Sequence, residues 1–304
     1  MIVLGLFICL GGIFYWRPLW VIDNVTQAYL RVRGVRSEYA NLGPYRIHYL
    51  TGGRGTPLVL VHGLGGKALN FALVIPSFMQ HGFRVYAIDL LGFGDSDRPD
   101  VDYSISLQAD VLRQFLDSQH LTQADLGGWS MGGWVSLKFA TDHPERVHRV
   151  FVGDSAGIDF KPTFDPALFR PANGEQARQL MTLLTPQAKR IPRFVENGIA
   201  RELSRRGPAV GRAMNSMMTR NDVLNGKLNA IKAPVLVVWG KQDALIPLAC
   251  GEEMHREMPQ SILAIVDGCG HLAPVECSDQ VMPETLRFLQ ADPALPPSVD
   301  EIKR

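Results

Sequence analysis

The chain of 304 residues is long enough for one large domain or two modest ones, and its 46% hydrophobic and 20% charged residues are an ordinary globular composition. Its 31 basic and 30 acidic residues give a net charge of +1, which argues against a protein that binds nucleic acid with its whole surface. Its four cysteines show no CxxC spacing, which excludes a disulfide scaffold or a zinc ribbon but leaves a single bridge open.

The first 22 residues form the most apolar segment of the chain, and their only charged side chain is that of Arg17. A helix from Ile2 to Ile22 would be about 30 Å long at ~1.5 Å per residue, which is close to the thickness of a bilayer's hydrocarbon core. Its last third holds aromatic side chains of the kind enriched at the headgroup level, Tyr15, Trp16 and Trp20. We therefore predict that residues 1–22 form a single-pass transmembrane helix that attaches the protein to a membrane.

A cleaved signal peptide, a lipoprotein signal and a buried core helix are the alternatives for this segment. A basic region at its start and a small-residue cleavage site are both missing, and Ile8 stands before Cys9 where a lipoprotein signal has a small residue. A helix that is apolar on all sides would need a large protein to cover it. The nearby basic residues all follow the segment, which by the positive-inside rule favours a cytoplasmic body. The side of the membrane nevertheless stays open.

From about Ser37 onward, short apolar runs alternate with helical patterns. The run Pro57–His62 is continuous and rich in β-branched residues, which is typical of a strand buried on both faces. Further runs of this kind, with a strand predicted at Tyr45–Leu50, are Arg84–Leu90, Ala124–Gly128, Val147–Gly153, Pro234–Gly240 and Ile262–Gly268. Helical patterns between them cover Leu69–His81, Ser104–Gln119 and Met131–His143. This alternation predicts an α/β fold, a mainly parallel sheet with helices on both faces.

Residues 161–232 interrupt the alternation, because they contain helical patterns and no strand-like run. We predict a helical cap there, inserted between the two parts of an α/β core at 37–160 and 233–292, with residues 293–304 as a C-terminal tail. The cap holds 13 basic and 5 acidic residues, a net charge of +8. Such a charge is usually a solvated face, but a basic cap near a membrane would also attract anionic headgroups, by about 1 kcal/mol per well-placed cation.

Ser130 lies in the motif Gly-Trp-Ser-Met-Gly at 128–132, after a predicted strand and before a predicted helix. This is the G-x-S-x-G motif in the context that it requires, a sharp strand-to-helix turn that lifts a serine hydroxyl above the sheet. Small residues are needed because the turn brings backbone segments close together. The motif predicts that Ser130 is a catalytic nucleophile.

A serine hydroxyl is a poor nucleophile near neutral pH and needs a base that is oriented by a carboxylate. Asp243 follows one late predicted strand and His271 follows the last one, so the order Ser130, Asp243, His271 fits a triad on this sheet. An aspartate at a strand end is more often a turn former, and Asp154 competes with Asp243 for the role of acid.

A glycine-rich turn, His-Gly-Leu-Gly-Gly at 62–66, follows the strand that ends near Val61. Acyl transfer builds negative charge on a carbonyl oxygen, and backbone amides that point at this oxygen stabilise it by ~3 kcal/mol each. We predict that the amides of Leu64 and Met131 form this oxyanion hole. A phosphate-binding loop is the alternative, but no Gly-Lys-Ser/Thr follows the turn.

These motifs resemble those of the α/β-hydrolase superfamily, from about residue 40 to 290, with the helical insertion where that family carries its variable cap. The matching segments are 62–65, 89–96, 128–133, 239–243 and 270–271. The resemblance implies Ser130 as nucleophile, His271 as base, Asp243 as orienting acid, and the amides of Leu64 and Met131 as the oxyanion hole. It also implies that Asp89 and Gly94 shape a turn beside the site.

Within the superfamily the chain is most similar to membrane-anchored monoacylglycerol-lipase-like and esterase-like members. That likeness implies a serine hydrolase of acyl esters, a monoacylglycerol, lysophospholipid or phospholipid, that needs no metal and no cofactor. Carbon–carbon bond hydrolases and cofactor-free perhydrolases keep the same serine and stay open as alternatives. A non-catalytic receptor or scaffold with this fold would usually lack a triad member. The acyl-chain length and the oligomeric state are left open.

Overall fold

The computed structural model of this chain describes residues 14–185 and 190–303. Most of the predicted membrane anchor, residues 1–13 of 1–22, lies outside these ranges. Residues 14–16 are helical, Arg17 leaves the helical conformation with φ −135° and ψ 57°, and helix α1 (Pro18–Val32) begins directly after it. None of the helices in the two described stretches is both long enough and apolar enough to cross a bilayer.

Within the described residues, helix α1 differs from the predicted helix Ile2–Ile22 in two ways: it begins at Pro18, after the break at Arg17, and it continues past Ile22. A helix restarts at Pro18 because proline is preorganised for a first helical position, where its missing N–H costs nothing. The helix then continues past Ile22 as an amphipathic segment, in which Leu30 is buried against the body of the protein. The boundary predicted at residue 22 is therefore not the end of a structural element.

The strands are β1 (Arg36–Leu42), β2 (Tyr45–Gly53), β3 (Thr56–Val61), β4 (Phe83–Ile88), β5 (Ala124–Trp129), β6 (Val147–Gly153), β7 (Val235–Gly240), β8 (Ser261–Val266) and β9 (Ser298–Ile302). Within the described residues these nine strands form one sheet in the order β1-β2-β4-β3-β5-β6-β7-β8-β9. The pairs β1/β2 and β2/β4 are antiparallel, and all other neighbours are parallel. The predicted, mainly parallel sheet is confirmed.

The helices that follow α1 are α2 (Ile75–Gln80), α3 (Ile105–Ser118), α4 (Met131–Asp142), α5 (Gly174–Leu184), α6 (Arg193–Arg205), α7 (Gly207–Met218), α8 (Leu248–Glu257), α9 (Ala273–Glu276) and α10 (Ser278–Gln290). Successive side chains of a strand point to opposite faces, and β3 sends Val59 and Val61 into one hydrophobic cluster, Leu58 and Leu60 into another. Helices α3, α4 and α8 cover the first face, and α2 and α10 cover the second, which confirms an α/β architecture with helices on both faces.

Helices α5, α6 and α7 lie between β6 and β7, inside the segment 161–232 for which a cap is predicted. The cap contacts the N-terminal helical region through α6. The ring of Phe194 stacks on that of Tyr15 with 5.4 Å between the ring centroids, and Arg201 donates a hydrogen bond to the Trp16 carbonyl. The cap and the N-terminal region are therefore in direct contact.

Residues 293–304 differ from the expected C-terminal tail, because Ser298–Ile302 form strand β9 at the edge of the sheet. This strand runs parallel to β8, with Ser298 opposite Ile262 and Ile302 opposite Val266. It is short and carries two acidic residues, so it lacks the apolar run by which the buried strands were identified. An edge strand needs only one neighbour and tolerates such polarity.

Candidate active site

Ser130 lies in the sharp turn between β5 and α4. Its φ of 54° and ψ of −121° fall in a backbone region that residues other than glycine rarely adopt. Its amide donates a hydrogen bond to the Gly153 carbonyl at 3.0 Å. The flanking glycines leave room for this turn. A Cβ on Gly132 would lie 2.1 Å from the Val61 carbonyl oxygen, and one on Gly128 would lie 2.3 Å from the Gly132 carbonyl oxygen.

The structure brings the predicted serine, histidine and aspartate together. His271 Nε2 lies 2.9 Å from Ser130 Oγ, and His271 Nδ1 lies 2.8 Å from Asp243 Oδ2. The other carboxylate oxygen of Asp243 accepts hydrogen bonds from the amides of Leu245 and Ile246, at 2.7 and 2.9 Å. Both the imidazole and this carboxylate are almost completely buried, so each is held in one orientation.

Asp154, the competitor for the role of acid, is buried and makes a different set of contacts. Its two carboxylate oxygens accept hydrogen bonds from the amides of Gly240 and Ala273, at 2.7 and 3.1 Å. Burial raises the pKa of Asp154 well above its usual range, and the negative charge of Asp243 is the second cause of this rise. Asp154 thus ties the end of β7 to the start of α9 and makes no hydrogen bond to His271.

The two predicted oxyanion donors lie beside the serine at the same cavity. Leu64, Ser130 and Met131 line the same cavity. In the described residues no protein acceptor takes the amide proton of Leu64, and Met131, as the first residue of α4, has no acceptor inside its helix. A Cβ on Gly63 would lie 3.2 Å from the Cβ of Ser130, so a glycine lets this loop approach the nucleophile closely.

His62 holds the glycine-rich loop from below. Its fully buried ring donates from Nδ1 to the Gly63 carbonyl at 2.8 Å and accepts at Nε2 from the Leu90 amide at 3.1 Å, which requires the neutral tautomer. Burial lowers the pKa of His62 and keeps it neutral. The role of His62 is therefore to fix the loop, and its place in the glycine-rich motif was the one signal for this role.

Asp89 organises the turn at 89–96. Its carboxylate accepts hydrogen bonds from the amides of Ala68 and Asp95 and from His48 Nδ1, and although burial opposes this, these donors leave the pKa of Asp89 below its usual value. His48, Asp89 and Asp95 lie close enough to hold a metal ion. However, the second ring nitrogen of His48 is already bonded to Ser37 Oγ at 2.8 Å, so the cluster works as a hydrogen-bonded brace.

A disulfide between Cys269 and Cys277 encloses the loop that carries His271. The His271 carbonyl also accepts a hydrogen bond from Trp129 Nε1 at 2.9 Å. Trp129 directly precedes Ser130, so this bond links the loop of His271 to the turn of the nucleophile. The sequence left a single bridge open without pairing it. The signal that could have indicated this pairing is that Cys269 and Cys277 stand on either side of His271 in the sequence.

A cavity of about 100 Å³ opens above Ser130 between the core and the cap. It is smaller than the roughly 300–1,000 Å³ that are typical of ligand pockets. Its lining is almost entirely apolar, and the two charged residues that line it in the described part of the chain, Asp159 and Arg220, form an ion pair at 3.1 Å. The cap contributes the aromatic and methionine side chains Phe164, Phe169, Met214, Met217 and Met218.

Comparison with known proteins points to one family. The model of the "Alpha/beta hydrolase family" matches residues 58–284, which is more than half of the chain. A 2-hydroxy-6-oxononadienedioate/2-hydroxy-6-oxononatrienedioate hydrolase of Burkholderia vietnamiensis is 29% identical over 294 residues, 88% of this chain and all of that protein. Lipase 1 of Psychrobacter immobilis is 28% identical over 239 residues, 74% of each chain.

Among solved structures, that of a membrane phospholipase A, described as a bacterial virulence factor, superposes with a TM-score of 0.79 at 24% sequence identity. The match covers 94% of this chain and 98% of that one, and at this identity it shows a common fold. The serine turn and the order of the strands agree with the family that the sequence matches. The chain belongs to the alpha/beta hydrolase family.

Proposed function

We propose that this protein is a serine hydrolase that cleaves carboxylic esters, with Ser130 as nucleophile, His271 as base and Asp243 as orienting acid. The observation that carries the proposal is the continuous chain of contacts Ser130 Oγ–His271 Nε2–Asp243 Oδ2, at 2.9 and 2.8 Å, beneath an apolar cavity. A neutral imidazole that donates to a carboxylate from Nδ1 has a free lone pair on Nε2, which is what a base for the serine proton needs.

In the first step, Ser130 Oγ attacks the ester carbonyl while its proton passes to His271 Nε2. The negative charge on the carbonyl oxygen is stabilised by the amides of Leu64 and Met131, and the amide of Met131 lies at the positive end of α4. Asp243 stabilises the imidazolium that forms. His271 then gives the proton to the departing alcohol, which leaves an acyl group on Ser130.

In the second step, water takes the place of the alcohol. His271 removes a proton from this water as it attacks the acyl carbonyl, and the same two amides stabilise the second tetrahedral intermediate. The proton returns to Ser130 Oγ when the carboxylic acid leaves. All proton transfers use groups of this chain, and the step requires no metal and no organic cofactor.

We further propose that the substrate is lipid-like and that the enzyme works at a membrane, held by its N-terminal segment. The lining of the cavity supports this, because the one cation among its described residues, Arg220, is already paired with Asp159 and the rest suits an acyl chain. The uncharged sequence of residues 1–16 and the exposed apolar side chains of α1 support membrane attachment. Flexible methionines such as Met217 adapt well to acyl chains.

A carbon–carbon bond hydrolase is the second candidate, and the relative from Burkholderia vietnamiensis favours it. The substrate in that protein's name carries carboxylates, which would need a cation free to bind them. Within the described residues the cavity offers only Arg220, which is paired with Asp159. We therefore rank ester hydrolysis first.

A fluorophosphonate probe tests the proposal, because it labels only an activated serine. We expect covalent labelling of the full chain, none of Ser130→Ala, and loss of p-nitrophenyl butyrate hydrolysis in that variant with unchanged folding by circular dichroism. The activity of unlabelled enzyme is then compared on monoacylglycerol, lysophospholipid and a 2-hydroxy-6-oxo-dienoate. Labelling that persists in Ser130→Ala would move the nucleophile elsewhere, and faster turnover of the dienoate than of any ester would replace ester hydrolysis by the second candidate.

A further inference from the structure

A second cavity, separate from the one above Ser130, lies between α1, the cap helix α6 and the core. Its volume is about 700 Å³. Side chains from α1, from α6, and from the turns around Lys67 and Asp95 line it. We call it the cationic cleft. The reaction proposed above makes no use of it.

The charge of the cationic cleft is strongly positive. Six cationic and three acidic side chains line it, a net charge of +3. The acidic ones are Asp23, Asp95 and Glu202, and the cationic ones are Arg17, Lys67, Arg98, Arg201, Arg205 and Arg206. Lys67 pairs with Asp23, while Arg205 and Arg206 share Glu202, so only half of the cations are neutralised by a carboxylate.

The other three cations have no carboxylate partner among the described residues. Arg98 and Arg201 donate to the backbone carbonyls of Gly94 and Trp16, and Arg17 makes no side-chain hydrogen bond in this part of the chain. Arg206 is nine-tenths buried, and both of its terminal nitrogens are already bonded, to the Gly65 carbonyl and to Glu202, so it adds positive charge to the cleft and no free terminal nitrogen. A cavity with several guanidinium groups in need of acceptors suits a phosphate, whose oxygens they bind in pairs.

The outer wall of the cleft is apolar and aromatic. Trp16 and Trp20 line the cleft and are also 71% and 54% exposed to solvent. Val25 and Val32, which lie in α1 together with Trp20, are 64% and 87% exposed. A helix with tryptophan and aliphatic side chains on its open face is suited to lie in the interface of a bilayer. Tryptophan in particular is enriched at the depth of the headgroups. Cations and headgroup-level aromatics thus meet at one place.

We propose that the cationic cleft binds the phosphate of an anionic membrane phospholipid, with α1 lying in the interface beside it. Arg17, Arg98 and Arg201 contact the phosphate oxygens, and the acyl chains of that lipid stay in the bilayer beside Trp16 and Trp20. Such a contact fixes the cap relative to the membrane. Binding in the cleft is independent of turnover at Ser130.

Calorimetric titration of the full chain in detergent tests this, in a Ser130→Ala background that prevents turnover. The probes are dihexanoylphosphatidylglycerol, dihexanoylphosphatidylcholine and inorganic phosphate. We expect the anionic lipid to bind more tightly than the zwitterionic one, because both have the same acyl chains and differ in headgroup charge. Arg98→Gln with Arg201→Gln should raise the Kd for phosphatidylglycerol roughly tenfold or more, through the loss of two cations.

The matched control is Arg193→Gln with Arg256→Gln, which removes the same charge from exposed arginines outside the cleft and should leave the Kd within twofold. Equal Kd values for the two lipids, or equal effects of the two double variants, would overturn the proposal. Inorganic phosphate binding as tightly as phosphatidylglycerol would show a site for free phosphate.

Folding of the cleft variants is checked with Ser130 intact, by p-nitrophenyl butyrate hydrolysis within twofold of the parent. If the double variant fails that check, Arg17→Gln decides the question with the same titration, because the Arg17 side chain makes no hydrogen bond in the described part of the chain. An unchanged Kd in Arg17→Gln would then exclude the cleft as the binding site. The titration in the Ser130→Ala background does not depend on which substrate Ser130 attacks, and circular dichroism replaces the hydrolysis check if the parent does not cleave p-nitrophenyl butyrate.

Discussion

Asp154 and Asp243 are two buried carboxylates at the ends of neighbouring strands, and their hydrogen bonds separate their roles. One oxygen of Asp243 is occupied by the amides of Leu245 and Ile246, which leaves the other for His271. Both oxygens of Asp154 are occupied by backbone amides. The order of the motifs in the sequence favoured Asp243, but it left Asp154 as a competitor because Asp154 directly follows β6 and Asp243 lies three residues after the end of β7.

Asp243→Asn and Asp154→Asn should therefore fail in different ways. In Asp243→Asn the amide oxygen keeps the two backbone donors, so its NH₂ group faces His271 Nδ1 and forces the tautomer that cannot accept the serine proton. We expect kcat on p-nitrophenyl butyrate to fall by a factor on the order of 10⁴ with little change in stability.

Asp154→Asn instead places an NH₂ group against a backbone N–H, which should lower the free energy of unfolding by about 1–3 kcal/mol while the folded fraction stays active. Urea unfolding and initial rates on both variants separate the two effects. A catalytic loss in Asp154→Asn larger than that in Asp243→Asn would reverse the assignment of the acid.

Met217 limits the cavity above Ser130, which is small for a long acyl chain. Met217→Ala should enlarge it and raise kcat/KM on p-nitrophenyl laurate relative to butyrate several-fold, because the longer chain gains apolar surface contact at roughly 0.8 kcal/mol per CH₂ group that becomes buried.

Met181→Ala is the matched control, since Met181 belongs to cap helix α5 and does not line the cavity. Chain-length profiles of p-nitrophenyl esters measure both variants. A laurate-to-butyrate ratio that stays at the parent value in Met217→Ala would place the acyl chain elsewhere.

At the scale of elements, the Cys269–Cys277 bridge holds the loop of His271 with a sequence separation of 8. Closing a loop of this size stabilises a fold by about 2–3 kcal/mol in the chain-entropy model. Cys269→Ser with Cys277→Ser should therefore lower Tm by roughly 5 °C, and dithiothreitol should lower the Tm of the parent by the same amount. Differential scanning calorimetry measures both. A parent Tm that does not respond to the reductant would mean that the bridge does not form in the protein.

The elements that sequence patterns predicted share one property, a strong local signal. The buried strands are continuous apolar runs such as 57–62, and the serine turn has glycines at fixed positions, so both were placed correctly. Strand β9 was missed because an edge strand needs no apolar run. The course of α1 was missed because Arg17 and Pro18 break a helix that hydropathy alone extends. The pairing of Cys269 with Cys277 depends on the fold of a loop, which spacing does not determine.

At the scale of the whole molecule, the N-terminal region packs against both the cap and the core. Phe194 and Arg201 of α6 contact Tyr15 and Trp16, and Lys67 of the core pairs with Asp23 of α1. A membrane bound by the N-terminal region would therefore lie close to the cap. Two successive cap helices connect the two cavities: α7 lines the cavity above Ser130, and α6 lines the cationic cleft.

The bridge also bears on the side of the membrane where the catalytic body lies. Disulfides persist in oxidising compartments and are kept reduced in the cytosol. The positive-inside rule pointed to the cytosol, because Arg17, Arg31, Arg33 and Arg36 follow the apolar segment. However, the side chain of Arg36 pairs with Glu38 and that of Arg33 stacks on the Tyr29 ring. The bridge encloses the loop of His271, and its presence favours an oxidising compartment for the catalytic body.

We therefore predict that the catalytic body lies outside the cytosol, with Cys269 and Cys277 oxidised in the cell. Cells are lysed in acid to trap thiols and denatured, and the protein is then alkylated with polyethylene-glycol maleimide, with and without prior reduction. Reduction should add two adducts to the parent and none to Cys269→Ser with Cys277→Ser, which is the control for the bridge. An equal number of adducts before and after reduction would place the body in the cytosol, since a reduced pair in an unstressed cell is what glutathione maintains there.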